Sequence, residues 1–301
     1  MTTRWIKLAV SCGCLAALLW WTDAAQVLAR LQGANLAWVA VALAAVTTAT
    51  LSMARRWQLA AAAFDLPLSY PRALREYYLA QLVNTVLPGG VAGDVTRAVR
   101  ARADAGLTQA AQSVMAERLL GQIAMLSLMF AGFATALVIP GGLPWATLGW
   151  IVLTTLAGCA VAALVLARSR SATGRFVHRT LTLCRWPAMQ LHGVITTACI
   201  ILGFYACARA TGAAIPAAGW ATLIPLILCA MLIPLSVGGW GWREGAAAAL
   251  FPLIGAPASA GVATGITYGV VLFVAALPAA ALLITPNFTN TLTSKGKQDL
   301  P

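Results

Sequence analysis

Six ionisable side chains interrupt the apolar part of this sequence, and their types indicate what they bind. They are Asp94, Arg97, Glu117, Arg118, Arg243 and Glu244. An ionised group at the centre of a bilayer costs from ~2.5 kcal/mol upwards, so such groups normally pair with one another or face a water-filled cavity. Guanidinium groups bind phosphate through paired hydrogen bonds, and carboxylates orient guanidinium groups or recognise amino groups. This set is typical of a site for a phosphate-bearing ligand.

The adjacent pair Glu117 and Arg118 needs partners from elsewhere in the chain. Neighbouring residues on a helix point about 100° apart, so these two cannot simply neutralise each other. Two Gly-rich segments carry the predicted partners, which are Asp94, Arg97, Arg243 and Glu244. Structural alternatives stay open at this point. Asp94 and Glu244 stand where a helix cap belongs, and Arg118 and Arg243 are compatible with buried ion pairs.

The two Gly-rich segments resemble each other and lie about half the chain apart. Residues 87–97 read LPGGVAGDVTR, and residues 235–244 read LSVGGWGWRE. Paired, Gly-broken apolar segments in the two halves of a membrane protein point to the central site of a transporter-like fold. We expect the chain to reverse there and to expose N–H groups to a water-filled cavity. The predicted tips are Gly89, Gly90, Gly93, Gly238, Gly239 and Gly241.

Composition places these segments in an integral membrane protein. Of the 301 residues, 60% are hydrophobic and 9% are charged, whereas a soluble domain is about 25% charged. Apolar runs long enough to cross a bilayer, which needs ~20 residues, lie at about 6–22, 35–54, 107–138, 145–167, 189–208 and 259–284. We interpret the first run as a retained anchor and not a signal peptide, because Trp20 and Trp21 suit a membrane interface.

The helix lengths around the Gly-rich segments predict re-entrant hairpins, at about 74–104 and 217–254. A helix over 94–104 would be ~16 Å long, about half the hydrocarbon thickness. Each half then contains three spans and one hairpin, so the second copy must be inverted. The predicted fold is an all-α integral membrane protein with about six transmembrane helices and two re-entrant helical hairpins in an inverted repeat. Its parts are a first repeat, a second repeat and a polar cytoplasmic tail, at 1–140, 141–285 and 286–301.

The net charge of +12 fits this topology better than it fits nucleic-acid binding, because the basic residues stand next to span ends. With both termini in the cytoplasm, most of the 20 Lys and Arg residues, Arg55 and Arg56 included, lie on the cytoplasmic side, as the positive-inside rule requires. Only Arg30 and Arg209 lie outside. The loop 168–187 has five Arg and no acid, which suits an ordinary cytoplasmic loop or contact with anionic headgroups.

Three ordered motifs resemble one known family. They are Asn84–Arg97, Ser113–Gly121 and Pro234–Glu244, and they closely resemble the lysylphosphatidylglycerol synthase transmembrane-region family. The resemblance covers nearly the whole chain. It implies a flippase-like membrane domain, which in bifunctional members accompanies a cytosolic aminoacyl-transfer domain. The present sequence contains no such domain, so we expect the stand-alone form, with transport and not synthase activity.

The leading hypothesis is a lipid translocase of the cytoplasmic membrane, in which Arg118 and Arg243 hold a headgroup phosphate. Asp94, Glu117 and Glu244 would orient the arginines or recognise an amino group. One alternative is an accessory subunit that presents a polyprenyl- or sugar-linked lipid to a glycosyltransferase, and another is a transferase with Glu117 as base. The expected partner is a membrane lipid, with no nucleic acid, cofactor or metal. A homo-oligomer or a lipid-modifying partner enzyme is compatible with this hypothesis.

Overall fold

The computed structural model of the chain describes residues 2–87, 91–139, 145–233 and 237–284. The predicted tips Gly89 and Gly90 and the predicted tail 286–301 lie outside these residues. The α-helices within the described ranges are α1 Thr2–Trp21, α2 Ala24–Gln32, α3 Leu36–Ala63, α4 Tyr70–Val86, α5 Ala92–Ala105, α6 Leu107–Val138, α7 Ala146–Ala167, α8 Ala172–Leu183, α9 Pro187–Ala210, α10 Ala217–Trp220, α11 Leu223–Cys229, α12 Trp242–Leu250, α13 Ala258–Ala276 and α14 Pro278–Ile284. Short 3₁₀ turns extend α11 over Ala230–Leu232 and α12 over Phe251–Ile254.

Five segments are long and apolar enough to cross a membrane: α3, α6, α7, α9 and Ala258–Leu282. A sixth is added if Ala9–Trp21 and Ala24–Gln32, which bend by 97° at their junction, count as one span. Asp23 lies at this bend and is the N-cap of α2: its side chain accepts a hydrogen bond from the N–H of Ala25. The predicted all-α, multi-span membrane architecture is confirmed. The inverted relation of the two halves and the re-entrant depth of the hairpins stay predictions.

Helix α3 runs further than the sequence indicates. The apolar run was expected to end near residue 54, with Arg55 and Arg56 on the cytoplasmic side, but the helix continues to Ala63. The Arg56 side chain is buried, at 3% exposure, and the side of the membrane on which it lies stays a prediction. Glu117 of α6 neutralises Arg56 within the helix, at 2.7 Å between Nη2 and Oε1. A charge therefore does not end this helix when its partner lies on a neighbouring one.

Both Gly-rich segments lead into a helix that begins two residues before the predicted start, at Ala92 and at Trp242. In the first, α4 and α5 approach so closely that a Cβ on Gly93 would lie 2.0 Å from the carbonyl oxygen of Ala80. In the second, Gly239 and Gly241 have φ values of +82° and +90°. Residues with a side chain rarely adopt this left-handed region. The two segments therefore need glycine for different reasons, a close approach of two helices at Gly93 and a backbone angle at Gly239 and Gly241.

The centre of the bundle is built from α3, α9 and α13, which pack on one another. Small residues let them approach: a Cβ on Gly203 would lie 3.0 Å from the Cγ2 of Val46. Close backbone approach through small residues is how transmembrane helices commonly associate. A second packed group joins α3 to α4, α5 and α6, with Trp57, Tyr77 and Val114 among its buried members. This group surrounds the first charged motif.

Candidate functional site

Glu117 is the centre of a buried cluster of charges contributed by α3, α4, α5 and α6. Its side chain is fully buried. Its Oε1 accepts from the Nη2 and Nε of Arg56, at 2.7 and 3.2 Å. Its Oε2 accepts from the Nη2 of Arg97 at 3.3 Å, and the hydroxyl of Tyr77 lies 3.4 Å from Oε1. The prediction that Glu117 pairs with residues away from Arg118 agrees with this geometry, although Arg56 was not among the expected partners.

Asp94 continues the cluster towards Arg118. One carboxylate oxygen accepts from the Nη2 of Arg97 at 3.1 Å, and the other accepts from the Nη2 of Arg118 at 2.5 Å. Since α5 begins at Ala92, Asp94 lies inside its first turn, and the N-cap position belongs to Val91. The capping alternative for Asp94 was therefore wrong. The carboxylate bridges two arginines.

Two carboxylates and two aromatic rings hold the Arg97 guanidinium group in place. Its guanidinium carbon lies between the rings of Trp57 and Tyr77, at 4.4 and 4.6 Å from the ring centroids. Cation–π contacts of this kind stabilise a cation that has left water. Trp57 is itself held by a hydrogen bond from its Nε1 to the Oγ of Ser113, at 3.2 Å. Arg97 therefore fixes the two carboxylates, while Arg118 remains half-exposed, with 46% of its side chain accessible.

The described cluster carries one more positive charge than negative. Its three guanidinium groups, Arg56, Arg97 and Arg118, face the two carboxylates of Asp94 and Glu117. A buried charge without a counterpart is costly. The arrangement favours a bound anion next to the exposed member, Arg118.

Two cavities meet at Arg118. A cavity of about 540 Å³ has Asp94 and Arg118 at its polar end, and it is otherwise lined mainly by apolar side chains such as Val95 and Met115. Gly239 from the second Gly-rich segment also lines it. A cavity of about 280 Å³ lies deeper, beside Arg56, Glu117 and Tyr77. The two share the lining residues Arg118, Gln122, Met231 and Leu232, so they adjoin each other.

The deeper cavity contains polar atoms that lack partners among the described residues. The Nη1 of Arg56 and the Oγ1 of Thr196 are buried and unbonded, and both residues line this cavity. Buried polar groups are nearly always hydrogen-bonded, so unpaired donors indicate space for water or a ligand. The sequence interpretation missed both residues. Arg56 had one usable signal, the apolar stretch that continues past it, whereas nothing in the sequence distinguishes Thr196.

Arg243 and Glu244 form a second, separate cluster at the start of α12. Both are fully buried, and the Nη2 of Arg243 bonds directly to Glu244 Oε1. The other oxygen, Oε2, accepts from the N–H of Gly241 at 2.7 Å. The capping alternative for Glu244 therefore agrees with the structure. Adjacent charges do meet here, because they lie in the first helical turn, where one carboxylate reaches both the free N–H and its neighbour.

The rings of Trp240 and Tyr268 enclose the Arg243 guanidinium, at 5.0 and 5.8 Å from its central carbon. Arg243 and Glu244 line neither of the two cavities beside Arg118, but Tyr268 lines the deeper one. Gly269 makes room for the arginine, since a Cβ there would lie 2.4 Å from Nη2. Of the predicted headgroup residues, Arg118 and Asp94 thus share one cavity, and a headgroup contact by Arg243 stays a prediction.

Comparison with known families identifies the family of the chain. The family model described as lysylphosphatidylglycerol synthase TM region matches residues 4–280. A search of curated proteins finds no significant match. The match includes every helix from α3 to α13, and with them both charged clusters and the adjoining cavities. The chain therefore belongs to the lysylphosphatidylglycerol synthase TM region family, as the three motifs suggested.

Proposed function

We propose that this protein is a flippase-like lipid translocase that moves a phosphate-bearing lipid between the leaflets of the cytoplasmic membrane. The observation that carries the proposal is the amphipathic cavity of about 540 Å³, with Arg118 and Asp94 at one end and apolar walls elsewhere. A phospholipid has the same division into a charged head and an apolar body. The protein needs to enclose only the head, because the acyl chains can stay in the bilayer.

The charge of the first cluster supports an anionic headgroup. Three arginines face two carboxylates, and the half-exposed Arg118 is the member that a ligand can reach. A phosphodiester carries one negative charge and accepts the paired hydrogen bonds that a guanidinium group donates. It would balance the cluster without displacing either carboxylate.

The adjoining cavities support a route for the headgroup through the protein. Beyond Arg118, the deeper cavity offers the unbonded Nη1 of Arg56 and Oγ1 of Thr196 as further donors. It also shares Thr197 with a third, largely apolar cavity of about 600 Å³ between α6 and α9. Fixed donors along such a route replace the water that a headgroup loses, which lowers the barrier that hydrocarbon imposes.

Leaflet exchange in reconstituted liposomes tests the proposal. The wild-type protein should accelerate exchange of a headgroup-labelled anionic phospholipid without ATP, and Arg118→Gln should remove this acceleration while the protein stays folded. Arg102→Gln is the matched control, because it removes an equal charge from an exposed position outside the three cavities and outside the loop 168–187. Wild-type rates equal to those of protein-free liposomes would reject translocation. Retained lipid binding in that case would identify an accessory subunit that presents the lipid to a separate enzyme.

A further inference from the structure

Two arginines that lie far apart in the sequence share a pocket at the opposite end of the bundle from α8. Arg30 is in the last turn of α2, and Arg209 is in the last turn of α9. Both line an open pocket of about 560 Å³, together with Gln26, Asn35 and Gly212. These two arginines are also the only basic residues that the charge distribution places outside the cytoplasm. The exceptions to the positive-inside rule therefore meet at one site.

Each guanidinium group is held in place without a carboxylate. The Nη1 of Arg30 donates to the carbonyl oxygen of Thr211 at 3.1 Å, and the Arg209 guanidinium carbon lies 5.4 Å from the centroid of Trp38. Among the described residues, neither arginine takes part in an ion pair. The neighbouring acid Asp23 is engaged elsewhere, by Ala25 and Gln26. The pocket therefore has two positioned positive charges and no internal anion.

The pocket lies at the level of a membrane surface. It stands where the spanning helix α3 begins and where α9 ends. Arg56 of the first cluster is about 20 residues further along α3, or ~30 Å at 1.5 Å per residue. Trp20 and Trp21, just before α2, are 89% and 65% exposed, as aromatic residues at a lipid–water interface are. An occupant of this pocket is thus at headgroup depth, in the leaflet further from α8.

We infer that this pocket is a second anion site, which binds the phosphate of an anionic lipid headgroup in the leaflet further from α8. Two guanidinium groups supply the charge and the paired donors that a phosphate prefers. The Gln26 amide is engaged at both ends, by Asp23 and by Ser259. The Oδ1 of Asn35 caps α3, which leaves its Nδ2 as an amide donor for a headgroup oxygen. The inference concerns binding alone, and it holds whether or not the protein moves lipid across the membrane.

Lipid binding to the purified protein, measured by native mass spectrometry with phosphatidylglycerol and phosphatidylcholine, tests this site. All variants carry Arg118→Gln, so that the central cavity contributes little to the signal. Adding Arg30→Gln and Arg209→Gln should weaken phosphatidylglycerol binding by about tenfold or more, the effect of losing one charge-assisted contact. Adding Arg55→Gln and Arg102→Gln instead removes the same charge from exposed positions outside this pocket and outside the loop 168–187, and it should leave this binding unchanged.

Arg209→Gln alone guards against misfolding, because Arg209 is exposed and the described structure gives it a ring contact but no hydrogen bond. It should weaken phosphatidylglycerol binding with an unchanged melting temperature. Equal weakening by the Arg30/Arg209 and Arg55/Arg102 pairs would overturn the inference, since binding would then follow net charge alone. Displacement of the lipid by millimolar inorganic phosphate would also overturn it, because the site would then be one for soluble anions.

Discussion

Glu117→Gln should destabilise the protein strongly, although the substitution changes hardly any volume. The carboxylate neutralises two guanidinium groups, at 2.7 Å for Arg56 and 3.3 Å for Arg97. Those side chains are 4% and 1% exposed, so water cannot replace the lost charge. An amide also offers one acceptor oxygen in place of two. Arg97 would then depend on Asp94, which already bonds Arg118, and Arg56 would have no carboxylate partner among the described residues.

The expected loss follows from the burial of the pair. Removing one partner of a buried ion pair costs about 3–5 kcal/mol in the free energy of unfolding. Asp65→Asn is the matched control: its carboxylate bonds the Nη2 of Arg179 at 2.9 Å, but these two side chains are 81% and 46% exposed. Water can solvate that arginine, so the control should lose only about 1 kcal/mol. The difference between the two variants measures the burial of the cluster and not the loss of a charge as such.

Equilibrium unfolding in detergent micelles measures the stability lost in each variant, and a double-mutant cycle measures the coupling between Arg56 and Glu117. Arg56→Met combined with Glu117→Gln removes the stranded cation along with its partner, so the double variant should be more stable than Glu117→Gln alone. Coupling between these positions should reach at least about 1 kcal/mol. A Glu117→Gln protein as stable as the Asp65→Asn control, or additive effects in the cycle, would refute the description of Glu117 as the anchor of the cluster.

Two further predictions concern the hairpin and the topology. Gly93→Ala should destabilise the protein by about 3 kcal/mol or more, because the new Cβ would lie 2.0 Å from the Ala80 carbonyl oxygen. Gly158→Ala is the control: a Cβ there would meet nothing within 4 Å, so this variant should unfold at nearly the wild-type denaturant concentration. In a cysteine-free background, Ser171→Cys should react with an impermeant maleimide only from the cytoplasmic side and Ala214→Cys only from the opposite side. Labelling of both from one side would contradict the assignment of the membrane ends.

The spans could be predicted from the sequence because the property that defines them is local. A run of apolar residues such as 107–138 needs no partner to be recognised, and α6 has these bounds. Gly93, Gly239 and Gly241 likewise mark backbone that a side chain would obstruct or strain. The end of α3 was missed, although the apolar stretch after Arg56 was a local signal that the helix continues. No local pattern, however, reveals that Glu117 of another helix neutralises Arg56.

The composition of the candidate site was predictable only in part, for the same reason. The need of Glu117 and Arg118 for outside partners follows from helical geometry, and Asp94 and Arg97 could be nominated because they stand in a conspicuous motif. Thr196 belongs to an ordinary apolar helix, and only packing places its hydroxyl in the deeper cavity. Arg30 and Arg209 were recognised in the sequence as exceptions to the positive-inside rule. Their shared pocket could not be predicted, because it depends on how α2 and α9 end beside each other.

The two Gly-rich segments show how similar sequences can acquire different roles. In the first, the arginines outnumber the carboxylates, and Arg118 opens onto a cavity. In the second, Arg243 and Glu244 neutralise each other and are sealed between aromatic rings. A balanced, sealed pair has no charge left for a ligand, while an unbalanced, open cluster has one. The asymmetry therefore favours the first segment as the place where an anion binds. The second segment adds Gly239 to the cavity wall, and a headgroup contact by Arg243, whose Nε and Nη1 are buried without a partner among the described residues, stays a prediction.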